Sequence, residues 1–273
     1  MSVPTVVTDI RGCRETVDQG VNGLMFPAGD ADALALALTE RLQQVCQQDR
    51  HRRRPNHDYL DTAALAQFLN GNVERAIELA NEYDDIVVAI NVGNEALVDW
   101  NDHMVPVENL VEYVREVKKS IKQPVTFCEN YVPWTYKLEP LAEELDFIAV
   151  HTYPAWEYRS IHDALEFTKQ HYHSVVDHYP GKPVIITEAG WTTAANGRGI
   201  DPHNASEELQ ASYSEQLLEW TTDEKILTFV FEAFDEPWKG SPDPMEPEKH
   251  WGLFDVERKP KLVMQEMYED YPW

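Results

Sequence analysis

The chain has 273 residues, 43% of them hydrophobic, enough to bury a sizeable core as one α/β barrel or as two smaller domains. Its 48 acidic residues against 23 basic ones leave a formal charge of −25. Such a surface repels phosphate backbones and anionic membranes, so nucleic acid and polyanionic substrates are poor candidates and neutral ligands carry no penalty. Cys13, Cys46 and Cys128 form no C-x-x-C pair, so neither a disulfide framework nor a zinc site of that type is expected. "MSVPTVVTDI" lacks a charged leader followed by an apolar stretch, and no window approaches 18 uninterrupted apolar residues. As written, the sequence is expected to be cytoplasmic with no membrane partner; as a piece of a longer chain it would be secreted or periplasmic.

In chain order, "PTVVTDI" predicts a strand, "RGCRETV" a short helix, "NGLMFPAGD" a turn and strand, and "DADALALALTERLQQV" a helix. The stretch "CQQDRHRRRPNHD" is polar, basic and rich in helix breakers, so its Arg run reads as a solvated linker. A boundary there divides a βαβα segment, 1–56, from a larger segment, 57–273.

Beyond it a rhythm of helices and strands begins. "AALAQFLNGNVERAIELANEY" has helical spacing and "IVVAINVG" is an apolar strand; "VENLVEYVREVKKSI" and "PVTFCEN" repeat the pair. "LEPLAEEL" precedes "DFIAVHTY", and "IHDALEFTKQHYHSVVDHY" precedes "KPVIITE". Asn204 with Glu207 reads as a helix cap before "EELQASYSEQLLEWTT", followed by the strand "ILTFVFEAFDE" and the helix "KPKLVMQEMYEDY". Apolar strands alternating with helices mean parallel strands covered by helices. Five such units with short turns fit an α/β fold of the (β/α)8 TIM-type barrel better than an open doubly wound sheet.

What lies at the strand ends supports the barrel. Asn94–Glu95, Glu129–Asn130, His151–Tyr153, Glu188, and Glu232 with Glu236 all fall at C-terminal strand ends, where barrel enzymes keep their chemistry. Glu95 and Glu188, 93 residues apart, are placed to face each other across the barrel mouth. Two carboxylates flanking a sugar ring can cleave a glycosidic bond, and a separation of about 5–5.5 Å makes the mechanism retaining.

Together, "INVGNEAL", "IAVHTYPAW", "IITEAGWTT", "FVFEAFDEPWKG" and "HWGLFD" resemble glycoside hydrolase family 17, its β-1,3-glucanases and glucan transglycosylases, over roughly residues 70–270. The resemblance implies that Glu95 is the acid/base on the fourth barrel strand and Glu188 the nucleophile on the seventh. It implies that Asn94 holds a substrate hydroxyl, that Tyr153 orients the nucleophile, and that Glu232, Glu236 and Lys239 bind the sugar near the cleavage point. Glu129 would line the substrate. No cofactor is implied, and the partner is a β-glucan chain.

Independently, the aromatics Trp134, Tyr136, Trp156, Tyr158, Trp191, Phe234, Trp238 and Trp251 lie at or beyond strand ends, where rings can stack on the C–H faces of sugars. About half are expected to be packing; Trp156, Trp191 and Phe234 are taken as substrate-binding. His171, His173 and His178 fall on an outer helix and are expected to be solvated, with no metal.

Three βα units should precede the acid/base strand, and they are not recognisable upstream. Instead, residues 3–45 resemble a fragment of the C-terminal, nucleotide-sugar-binding half of family 4 glycosyltransferases, with Glu15 matching only a later loop position. The donor-binding glutamates of that family would lie upstream of the match, so the segment reads as structural, its two strands serving as staves of the barrel. An unfilled strand edge would favour pairing with a second copy of the chain. The rival readings are a catalytically weak glucan-binding protein and a remnant of a nucleotide-sugar transferase.

Overall fold

The computed structural model describes residues 5–8, 23–26, 73–99 and 104–268. Cys13, Cys46, Glu15, the Arg run, the expected linker and the helices assigned before it lie outside the described residues. The chain divides into two units, one of Met1–Asn91 with Val117–Gln123 and one of Val92–Glu116 with Pro124–Trp273.

In the first unit, β1 (Thr5–Thr8) and β2 (Gly23–Phe26) pair in parallel with Thr5 opposite Gly23, as the two apolar tetrapeptides predict. They form a two-stranded sheet of their own. Helix α1 (Val73–Glu82) buries Ala76 and Ala80, four residues apart on one face. The Gln123 side chain donates to the Ala80 carbonyl at 2.6 Å, and Asn81 donates to that of Ser120 at 2.8 Å.

The larger sheet has five strands, β3 (Ile90–Asn94), β4 (Val125–Asn130), β5 (Ile148–Thr152), β6 (Val184–Ala189) and β7 (Thr228–Val230), adjacent in chain order. The pairings β4–β5, β5–β6 and β6–β7 are parallel. Between them run α2 (Val107–Ser120), α3 (Tyr131–Trp134), α4 (Glu139–Glu144), α5 (Ile161–His178) and α6 (Glu207–Asp223), with α7 (Leu262–Met267) after the last strand. An order that rises without reversal is that of a (β/α)8 barrel; a doubly wound sheet would reverse at a switch point.

Burial on both faces explains the continuous apolar strands: every residue of β4 and β5 is buried. Polar side chains there are paired, as when Thr126 donates to the Phe147 carbonyl at 2.8 Å and Asp146 accepts from the Val125 amide at 2.8 Å. The predicted cap of α6 is corrected: Asn204 lies in a 3₁₀ turn, and Ser206 accepts from the Leu209 amide at 3.2 Å.

One irregularity matters for the site. Along β5 and β6, Val150 stands opposite Ile186, but His151 stands opposite Glu188, so the register skips Thr187. An extra residue on one strand re-aims the side chains beyond it. Directly after β6, a Cβ on Gly190 would lie 2.0 Å from the Phe231 carbonyl oxygen, so only glycine allows this approach to the end of β7.

Candidate active site

Glu95 follows β3 directly, and its backbone is in the left-handed region with φ 44. That conformation is strained for a side-chain-bearing residue and is held here by the Glu95 amide donating to the Cys128 carbonyl on β4 at 3.0 Å. Glu188 lies within β6, beside the register shift. Between the two carboxylates stands His151: its Nδ1 is 3.0 Å from Glu95 Oε1 and 3.3 Å from Glu188 Oε2. The imidazole is wholly buried, whereas the side chains of Glu95 and Glu188 keep 25% and 21% of their surface, so a ligand reaches the carboxylates and not the ring.

On its other side Glu188 Oε2 accepts a 2.5 Å hydrogen bond from the Tyr153 hydroxyl. Burial, and then the Glu188 charge, push the Tyr153 phenol well above its usual range, so it stays a donor. For His151, burial disfavours the charged ring. The Glu188 charge, a hydrogen bond with the Cys128 side chain and one with Glu95 outweigh it, raising the imidazole well above the ordinary histidine value. One ligand atom each from Glu95, His151 and Glu188 lie within 4.8 Å of one another, a spacing that a divalent ion could also span. An imidazole N–H between two carboxylates accounts for the same contacts. One oxygen of Glu95 and one of Glu188 thus lie within 4.8 Å of each other, which places the two carboxylates side by side.

Beyond β7 the predicted polar cluster is assembled. Lys239 Nζ lies 2.8 Å from Glu232 Oε2 and also contacts Glu236 Oε2. Burial pushes the Glu232 carboxyl up to about 8 against the pull of Lys239. Glu248, assigned no role in the sequence, belongs with this group. Burial raises its carboxyl, Lys239 opposes this, and the charges of Glu246, Glu95 and Glu188 raise it further. Glu248 follows no strand, and its one signal was its place three residues before Trp251 in "EKHWGLFD". His151 was visible as a strand-end residue, but nothing in the sequence said that it bridges the pair.

Asn94 ends β3 beside Glu95 and is half-buried. Glu129 is corrected: it is fully buried, with Oε2 accepting from the Leu97 amide at 2.9 Å and Oε1 from the Asn130 amide at 2.8 Å. The two oxygens thus hold backbone amides, one at Leu97 and one at Asn130, rather than line a cleft, and burial pushes the carboxyl up to about 7.

Among the aromatics, Trp191 is also corrected. It is fully buried, donates to the Asn204 carbonyl at 2.8 Å and packs on Tyr213, so it is core. Trp134 and Trp251 are likewise buried; Trp251 backs Tyr153 with ring centres 5.2 Å apart. Trp156 is half-buried, tilted against Trp251, with Gly199 at φ 80 so close to its ring that a Cβ would approach to 2.5 Å. Phe234 packs on Phe254 with Arg258 over its ring. Tyr136, Tyr158 and Trp238 are exposed.

The three helix histidines do not gather. His171 is buried rather than solvated: it stacks on Tyr131 at 3.6 Å, its Nδ1 is 2.8 Å from the Thr152 hydroxyl, and burial pushes it down to about 4. His178 pairs with Glu139 at the surface.

Residues 60–252 match the family model described as the BtgE/BtgC glycoside hydrolase domain, and residues 1–44 match that of glycosyl transferases group 1. The btgC protein of Aspergillus niger, named as a glucan endo-1,3-beta-glucosidase, is 32% identical over 208 residues, which cover 68% of this chain and 30% of that protein. The chain therefore spans under a third of that relative's length. Among solved structures, an endo-laminarinase from Formosa Hel1_33_131 shares the fold at a TM-score of 0.70 and 24% identity, covering 87% of this chain and 75% of the other. The glycoside hydrolase family 17 beta-1,3-glucanosyltransferase of Rhizomucor miehei matches at 0.62 and 26% identity, over 88% of this chain and 84% of that one. An active-site mutant of the same enzyme has been solved with laminaritriose.

Proposed function

The chain belongs to the BtgE/BtgC glycoside hydrolase domain family, and from that membership we propose that it cleaves or transfers β-1,3-glucan with retention of configuration, using Glu188 as nucleophile and Glu95 as acid/base. The observation that carries the reading is the close pairing of the two carboxylates, with Tyr153 bonded to the same Glu188 oxygen that faces His151.

In the first step a Glu188 oxygen attacks the anomeric carbon, the glycosidic C–O bond breaks, and Glu95 gives its proton to the departing oxygen. In the second, Glu95 takes a proton from an incoming hydroxyl, whose oxygen attacks the anomeric carbon and releases Glu188. Water as acceptor gives hydrolysis; a sugar hydroxyl gives a longer glucan. Asn94, Trp156 and the Glu232–Glu236–Lys239 group bind the sugar chain around the scissile bond. A neutral glucan suits the acidic surface, since it meets no charge repulsion.

The test is incubation with laminari-oligosaccharides, following both shortened products and transfer products by chromatography. Shorter products, or longer ones at high substrate concentration, are expected from the wild type. Their absence across β-1,3-linked substrates, with glucan binding retained, would replace this reading with that of a binding protein.

A further inference from the structure

We propose that His151 is a positioning residue shared by both steps, its Nδ1–H hydrogen bond passing from Glu188 to Glu95 as the negative charge does. The proposal rests on the retaining reading above. Facing two carboxylate oxygens, at 3.0 and 3.3 Å, Nδ1 carries a hydrogen, and that hydrogen stands within reach of either oxygen without movement of the ring. The ring has little freedom to move, because it is wholly buried on β5 where the register shift sets it opposite Glu188.

The two steps leave one negative charge in different places. The retaining reading starts with Glu188 as the attacking carboxylate and Glu95 as the proton donor. In the glycosyl-enzyme the Glu188 oxygen is esterified and uncharged, while Glu95, having given its proton away, is ionised. A fixed N–H between them serves each in turn, and His151 neither gains nor loses a proton in the cycle. A preorganised donor of this kind needs no reorganisation at the moment of reaction. Tyr153 cannot share the task, since its hydroxyl is bonded to Glu188. The groups that set the charge on His151 are Glu188 from β6, Cys128 from β4 and Glu95 directly after β3, with Glu129 from β4 also within electrostatic reach.

The test compares His151→Leu, which removes the donor at similar volume, with His151→Asn, which keeps an amide N–H near the Nδ1 position. Wild type and variants are assayed on a laminari-oligosaccharide and on an aryl β-glucoside with a good leaving group, over a full pH range. An N–H bond favours the charged form of the carboxylate it contacts, so its loss withdraws that support in both steps. Both limbs of the pH profile should then move to higher pH in His151→Leu. Its kcat should fall on both substrates by about 10²-fold, the usual consequence of losing one preorganised donor. His151→Asn should recover most of the rate and place the limbs near those of the wild type.

Unmoved limbs in a folded His151→Leu variant, or an Asn variant no better than Leu, would overturn the proposal. If the Leu variant does not fold, His151→Ala with added imidazole takes its place: rescue supports the proposal and its absence counts against it. A wild type inactive on all β-1,3-glucans would instead overturn the function reading underneath.

Discussion

The Tyr153 hydroxyl and the Glu188 carboxylate share a hydrogen bond of 2.5 Å, at the same oxygen that lies 3.3 Å from the His151 imidazole. Two neighbouring polar groups at one carboxylate oxygen fix its direction, which suits the attack proposed for it. A hydrogen bond to a charged group contributes about 1.5–3 kcal/mol. Tyr153→Phe should therefore lower kcat/KM by roughly 10- to 100-fold. A Phe variant with full activity would show that Tyr153 does not orient the nucleophile.

Removal of either glutamate should separate the two roles. Glu188→Ala should abolish turnover, and azide should restore cleavage of an activated aryl glucoside with an inverted glycosyl azide as product. Glu95→Ala should lose about 10²- to 10⁴-fold on an oligosaccharide, whose leaving group needs a proton. Its first step should be nearly unaffected with a good leaving group. Full activity in either variant on the natural linkage would break the assignment.

Glu129 should act on stability rather than on binding. Its folded-state pKa is raised from about 4.5 to about 7 by burial, so the folded chain holds this proton more tightly than the unfolded one. The stability it contributes is fully present below about pH 4.5 and is lost as pH rises through about 7. A shift of this size corresponds to roughly 3 kcal/mol across that window. Glu129→Gln should flatten this part of the curve and cost about 1–3 kcal/mol, because one of its two backbone amides loses its acceptor. Urea denaturation at a series of pH values measures both effects; an unchanged profile with a raised KM would return Glu129 to the cleft.

Trp156 and Trp191 should respond in opposite ways to the same substitution. Trp191→Ala empties a fully buried site and should cost about 3–5 kcal/mol, read as a lower thermal midpoint. Trp156→Ala should leave the midpoint closer to that of the wild type and raise KM for longer oligosaccharides. Equal losses of stability with unchanged KM would remove Trp156 from the substrate path.

Much of the arrangement was legible because parallel barrels write themselves as a pattern. Strands buried on both faces must be continuous apolar runs, and a carboxylate ending such a run stands out against them. That logic singled out Glu95 and Glu188 as candidates and predicted the helices between their strands. It misassigned Glu129 and Trp191, which also sit at strand ends. At such a position a carboxylate can turn to solvent or to backbone amides, and an indole can turn to the cleft or to the core. Local sequence does not distinguish the two directions. His171 failed in the same way, because burial against Tyr131 and Thr152 depends on which face of α5 meets the sheet.

By itself, then, the sequence determined the strand-and-helix alternation, which follows from periodicity, and the family, which follows from the resemblance of its motifs, and it singled out two strand-end glutamates as candidates. Only the tertiary structure decided what stands between the glutamates. The register shift that skips Thr187 sets His151 opposite Glu188, and the folding of the loop beyond β7 brings the charge of Glu248 to bear on the same pair. Both depend on how segments far apart in the chain pair in space. No periodicity within one segment encodes an interaction between two.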